Sequence, residues 1–203
     1  MVATLPEQLW ECDHVMRSKR LKKYFWDYFF LVSIASVIVV IDQWTKHLVR
    51  TQIPFGASWS PWIWLEPYVR IVHWQNTGAA FGMFQRYGLV FTILAFVVSI
   101  GILYYYPQVP RKELMIRVAM AMMLGGALGN LVDRLTRGTV TDFVSVGTFA
   151  VFNVADACIS VGTAILILAV WISERKQKAQ MIAGEGPIVT PVESSNSEDR
   201  PLE

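Results

Sequence analysis

The sequence predicts a membrane protein that is mostly α-helical: a four-helix transmembrane bundle with a small extracytoplasmic β-sheet between spans one and two. Three observations predict this. Apolar residues make up 54% of the 203-residue chain and charged residues 17%, a balance that argues for several membrane spans rather than a water-soluble core. Four apolar runs are each near the ~20 residues a helix needs to cross hydrocarbon. Between the first two runs lies a stretch of different texture, rich in proline, tryptophan and β-formers.

Composition also excludes some classes. The formal charge of +2 is small, and no basic stretch is interleaved with aromatics, so nucleic acid is not an expected partner. Cys12 and Cys158 fall in a polar arm and an apolar run, which predicts no disulfide and no Cys/His metal site. No metal or other cofactor is expected. The polar start, followed by a run longer than a signal-peptide core, does not read as a cleavable leader.

Residues 1–27 read as a basic arm with Arg17, Lys19, Arg20, Lys22 and Lys23 just ahead of the first span. That span runs from about Tyr28 to Val49. Asp42 and Lys46 sit four apart near its end, on one helix face. They are either an interfacial ion pair with Lys46 snorkelling, or part of a site inside the bundle.

Residues 50–87 hold Trp59, Trp62, Trp64 and Trp74, with Trp44 just before, and are expected to lie as a sheet at headgroup level. Within them 68–75 reads as a strand. His73 is expected on its surface, and Asn76 in a turn at NTGAAFG (76–82). The second span runs from about Gly88 to Tyr106.

The third span, about Leu114 to Arg134, carries Gly125 and Gly129, a GxxxG pair read purely as helix packing. Asn130 and Arg134 lie one turn apart at its end, and Asp133 is expected to pair with Arg134. Residues 135–151 form a short loop whose TVTDFVSV alternates as a strand does, with Asp142 in it on a mobile segment. The fourth span runs from about Phe152 to Ile172. Asn153 and Asp156, three apart at its start, read either as a helix cap or as site residues. From 173 to 203 the chain turns polar and acidic, and is expected to be a disordered tail.

Lys and Arg concentrate in the arm, in the 107–117 loop and at the start of the tail, which predicts that both termini are cytoplasmic. Asp42 then lies ~21 Å across a ~30 Å core. Asn130, Arg134, Asp142 and Asp156 reach the same outer depth. Ionisable groups at the edge of hydrocarbon are costly and mark function by default.

Two carboxylates close together in an apolar setting share a proton, because both cannot ionise comfortably. The ionised member can activate water and the protonated member can polarise a carbonyl. Asp142 and Asp156 are the candidates for such a pair, and the sequence leaves open which holds the proton. A proton-coupled carrier using Asp42, Lys46 and Asp156 is the alternative, although no inverted repeat supports it. A non-catalytic assembly factor is a third reading.

DQWTK (42–46), NTGAAFG (76–82), GNLVDR (129–134), VTDF (140–143) and FNVAD (152–156), in this order, resemble lipoprotein signal peptidase, also called signal peptidase II, of bacteria. The resemblance covers about residues 28–172. It implies a four-span aspartic protease of the bacterial plasma membrane that removes the signal peptide from diacylglyceryl-modified prolipoproteins, just before the lipid-carrying cysteine. It implies Asp142 and Asp156 as the catalytic pair. Asp42, Lys46, Asn76, Asn130, Arg134 and Asn153 are implied to shape or support the site. The partners expected are the prolipoprotein and membrane lipid, with the enzyme working as a monomer and its site towards the extracytoplasmic side. The arm and tail are longer than the family core requires, and the loop joining Asp142 to Asp156 is short.

Overall fold

The structure, a computed structural model, describes residues 5–78 and 88–184. Four helices are long and apolar enough to cross a membrane, over Tyr24–Gln52, Gly88–Gln108, Leu114–Arg137 and Val154–Ala179. The chain is a multi-pass membrane protein. The first span belongs to a 48-residue helix, α1 (Leu5–Gln52), so most of the expected arm is continuous with the span. Helix α2 (Gly88–Tyr105) ends in a short 3-10 turn at Tyr106–Gln108, where Pro107 can donate no backbone hydrogen bond. Helix α3 covers Leu114–Arg137, and α4 covers Val154–Gly184. The last helix runs past the expected end at Ile172. The tail beyond 184 and most of the NTGAAFG turn lie outside the described residues.

The described chain divides into one compact unit up to Ala169 and a second from Val170 onward. In the second, the Arg175 guanidinium lies 3.9 Å over the Trp171 ring. Everything below concerns the first.

Helix α3 is the buried centre of the bundle, and the other three expose most of their apolar side chains, as spans bordered by lipid do. Small residues let its neighbours approach. A Cβ on Gly125 would lie 2.9 Å from Ile38 Cβ on α1. One on Gly126 would collide with the Ala155 carbonyl oxygen on α4. Leu31, Ala35, Ile102, Tyr106, Met120, Ala121 and Leu124 form the apolar core at the end away from Asp142.

The sheet has three antiparallel strands in the order β1 (Ser58–Trp59), β2 (Val69–Asn76), β3 (Val140–Val146). The strand expected at 68–75 is β2. The third strand comes from the loop between spans three and four. Gly138, with φ of +74°, ends α3 in the left-handed conformation glycine favours and turns the chain into β3. Pairing of Trp74 with Asp142 and of Asn76 with Val140 brings two sequence motifs together. Trp59, Trp62, Trp64 and Trp74 are exposed, and Trp62 stacks on Trp64 at 6.0 Å.

Candidate active site

Two corrections follow from the fold. Asp142 does not ride on a mobile loop. It is a buried residue of strand β3, locked in register against β2. His73 is not on the strand surface either. It is buried, and its Nδ1 is 2.8 Å from the Ile53 carbonyl oxygen, because the irregular register between Ile71 and Trp74 turns it inward.

Neutral amides hold the Asp142 carboxylate. Asn76 Nδ2 donates to Oδ2 at 2.9 Å and Asn153 Nδ2 to Oδ1 at 2.7 Å. Asn76 also accepts from Gly78 N at 2.9 Å, so its turn-forming role and its hold on the carboxylate are one geometry. Asp156 receives Asn130 Nδ2 at 2.7 Å on Oδ1 and Asn153 N at 3.2 Å on Oδ2. Asp156 N in turn donates to Asn153 Oδ1 at 2.9 Å. That reciprocal pair is a capping box for α4. The cap and the site member are therefore the same side chain.

Lys46 and Asp42 are fully buried and 2.8 Å apart, which removes the snorkelling alternative. Lys46 Nζ also donates to Asn130 Oδ1 at 2.9 Å, and Asn153 Nδ2 reaches the same oxygen at 3.2 Å. With its oxygen so occupied, Asn130 must turn its amide hydrogens towards Asp156. Asp42 Oδ1 accepts from Ala155 N at 2.9 Å, which ties α1 to the first turn of α4.

Asp133 corrects another expectation. It pairs with Lys46 at 3.3 Å and Arg50 at 3.5 Å, not with Arg134. Consecutive helical residues point ~100° apart, so neighbours in sequence face different sides. Arg134 instead lines the cavity, with its guanidinium 5.8 Å from the Phe91 ring centre and its Nε without a hydrogen-bond partner among the described residues. The GxxxG pair also does more than pack helices. A Cβ on Gly129 would lie 2.7 Å from Asp42 Oδ2, so this glycine makes room for a carboxylate.

Asp142 and Asp156 open into one cavity of about 590 Å³, with Asn76, Asn130 and Arg134 as its other polar walls. Apart from Ser160 the rest is apolar, including Phe91, Leu94, Val98, Met123, Phe149 and Ile159. Of the eight residues singled out from the sequence, these five reach the cavity. Asp42, Lys46 and Asn153 stand behind them. Burial pushes the Asp142 carboxyl up to about 6 and the nearby Asp156 adds to the rise, while the bonds from Asn76 and Asn153 and the charge of Lys46 oppose it. One cavity thus offers a proton donor, a second carboxylate and an apolar wall, which suits acid–base chemistry beside an apolar group.

Gln43, Arg50 and Thr141 were not singled out from the sequence, and Asp133 was singled out with the wrong partner. Gln43 donates to Asp42 Oδ2 at 3.2 Å and to the Gly129 carbonyl at 3.0 Å. Arg50 continues the four-residue spacing of Asp42 and Lys46, and Asp133 is three after Asn130. Both signals were present. Nothing in the sequence marks Thr141.

Residues 34–172 match the family described as signal peptidase (SPase) II. A lipoprotein signal peptidase of Halalkalibacterium halodurans is 38% identical over 151 residues, covering 72% of this chain and 95% of the relative. One of Mesorhizobium japonicum is 36% identical over 157 residues, covering 75% and 90%. A bacterial membrane enzyme solved by the in meso method superposes with a TM-score of 0.66 at 25% identity, over 85% of this chain and 94% of that one.

Proposed function

The chain belongs to the signal peptidase II family and is a peptidase, and on that premise we propose that it removes the signal peptide from diacylglyceryl-modified prolipoproteins by water activated on Asp142 and Asp156. The scissile bond precedes the lipid-carrying cysteine. The observation that carries this reading is that both carboxyls open into one largely apolar cavity and are held there by amides rather than cations. The proton-coupled carrier has no support in the family match.

In this reading the Asp142 carboxyl, raised by burial, supplies a proton and Asp156 acts as the base. Asp156 takes a proton from water as its oxygen attacks the peptide carbonyl. Asp142 passes its proton to the carbonyl oxygen. When the tetrahedral diol collapses, the C–N bond breaks and the departing cysteine amine takes the proton held by Asp156. Asp142 recovers its own from the diol, and the pair is reset without metal or covalent intermediate. A substrate filling the cavity displaces water, which raises the Asp142 value further.

Acyl chains anchor the substrate at ~0.8 kcal/mol per buried CH₂, so the enzyme needs mainly to align the peptide. In this reading the protein works as a monomer in the plasma membrane, with cytoplasmic termini and the aspartates towards the extracytoplasmic side. Purified protein incubated with a diacylglyceryl-modified prolipoprotein tests it. Asp142→Asn and Asp156→Asn are expected to lose about 10³-fold in rate while remaining folded. A folded variant of either kind that cleaves near the unmodified rate sinks the proposal.

A further inference from the structure

Behind the aspartate pair lies a box of four charges. Asp42, Lys46 and Asp133 are fully buried and Arg50 is mostly so, with two charges of each sign. We propose that Asp133 is a positioning residue for the cleavage: it grips strand β3 one residue before Asp142 and balances Lys46 and Arg50, so that the box behind Asp142 and Asp156 carries no net charge. The inference rests on the reading of Asp142 and Asp156 as the reacting pair.

The grip has two points. Asp133 Oδ2 accepts from Thr141 N at 3.1 Å, and its counter-ion Arg50 donates from Nη1 to Thr141 Oγ1 at 3.1 Å. Successive side chains of a strand point to opposite faces. Arg50 therefore holds the Thr141 hydroxyl on the face away from the Asp142 carboxyl. The balance has a route to the pair as well. Lys46 is shared between Asp42, Asp133 and the oxygen of Asn130, whose amide reaches Asp156.

The charged and titratable groups around Asp142 come from every neighbouring element. They are Asp42, Lys46 and Arg50 on α1, Asp133, Arg134 and Arg137 on α3, Asp156 on α4, and Arg70 and His73 on β2. Helix α2 carries no Asp, Glu, Lys, Arg or His, and its Tyr104 and Tyr105 lie at the end away from Asp142. Lys46 already opposes the upward shift of Asp142. Asp133→Asn keeps an oxygen for Thr141 N but leaves Lys46 and Arg50 in excess, which favours ionised Asp142. Arg50→Gln leaves negative charge in excess and does the reverse.

The measurement is the pH profile of kcat/KM on a lipid-modified prolipoprotein, with the alkaline limb taken as loss of the shared proton. Asp133→Asn is expected to lose about tenfold in kcat and to move the limb about half a pH unit or more towards acid. Arg50→Gln is expected to move it towards alkali, and Asp133→Glu to keep it at the unmodified position. Any other pattern overturns the inference, since a merely structural Asp133 would lower the amplitude and leave the limb in place. Should Asp133→Asn not fold, Arg50→Gln decides alone, and an unmoved limb is fatal. Asp142→Asn in the same assay tests the reacting pair separately: if it cleaves normally, the functional reading has failed rather than this inference.

Discussion

The bundle buries charge at both ends, and the two clusters are built differently. At the end away from the site, Asp27 Oδ1 takes Arg111 Nε and Arg117 Nη2, each at 2.9 Å. Arg117 also donates to the Val109 carbonyl at 3.2 Å and lies 4.4 Å over the Tyr106 ring. Every charge there meets its opposite directly, and the adjoining cavity of about 550 Å³ is lined almost wholly by apolar side chains. At the site end the four-charge box is likewise paired. The two carboxylates that face the cavity, however, form no ion pair among the described residues and are held by Asn76, Asn130 and Asn153. Direct cation contact would fix a carboxylate as a permanent anion. Amides orient it and leave it able to trade a proton. The first cluster holds helices together, and the second keeps acidity in play.

Three perturbations sharpen that contrast. The largest effect on stability is expected from Asp27→Ala, which leaves the buried Arg117 guanidinium without its carboxylate and should cost about 3–5 kcal/mol. Thermal melts in detergent should fall steeply, while the folded fraction keeps its activity. An unchanged melting temperature would mean that the pairing contributes little.

Asp142→Asn is expected to act in the opposite sense and with pH. The folded value of about 6 lies above the ordinary 3.8. Stability associated with the protonated carboxyl is complete below 3.8 and is lost as pH rises through about 6. The penalty approaches about 3 kcal/mol at neutral pH. The variant should therefore melt above the unmodified protein at pH 7 and alongside it at pH 4. Parallel curves at both values would show that Asp142 titrates normally.

Gly129→Ala is the mildest. A Cβ 2.7 Å from Asp42 Oδ2 must push that carboxylate aside, at a cost of about 1–3 kcal/mol. Activity should fall more than stability, because Asp42 anchors Ala155 at the start of α4. Equal loss of both would reduce the glycine to helix packing.

The four spans were legible because hydrocarbon demands long apolar helices. Asp42 and Lys46 were legible because a helix repeats every four residues. The third strand could be seen as alternation at TVTDFVSV, but alternation names no partner. Its link to Asn76 emerged only from the register. Its alternating pattern also does not map onto burial: Val140 to Phe143 are all buried, because the strand's polar face looks into the site rather than into water. Asp133 was misassigned by adjacency in sequence, which is not adjacency around a helix. Asp27 was counted with the polar arm, since nothing local shows that Arg111 and Arg117 reach it from more than eighty positions away.

The capping box on Asn153 and Asp156 has one more consequence. The acid that would split the peptide is also the acid that starts its own helix. In the proposed mechanism a frayed first turn would disarm the chain, because Asp156 would lose its backbone donor and Asn153 its hold on Asp142 in the same movement. On that reading a half-wound last span would leave the two acids unassembled and the membrane around them safe from cleavage.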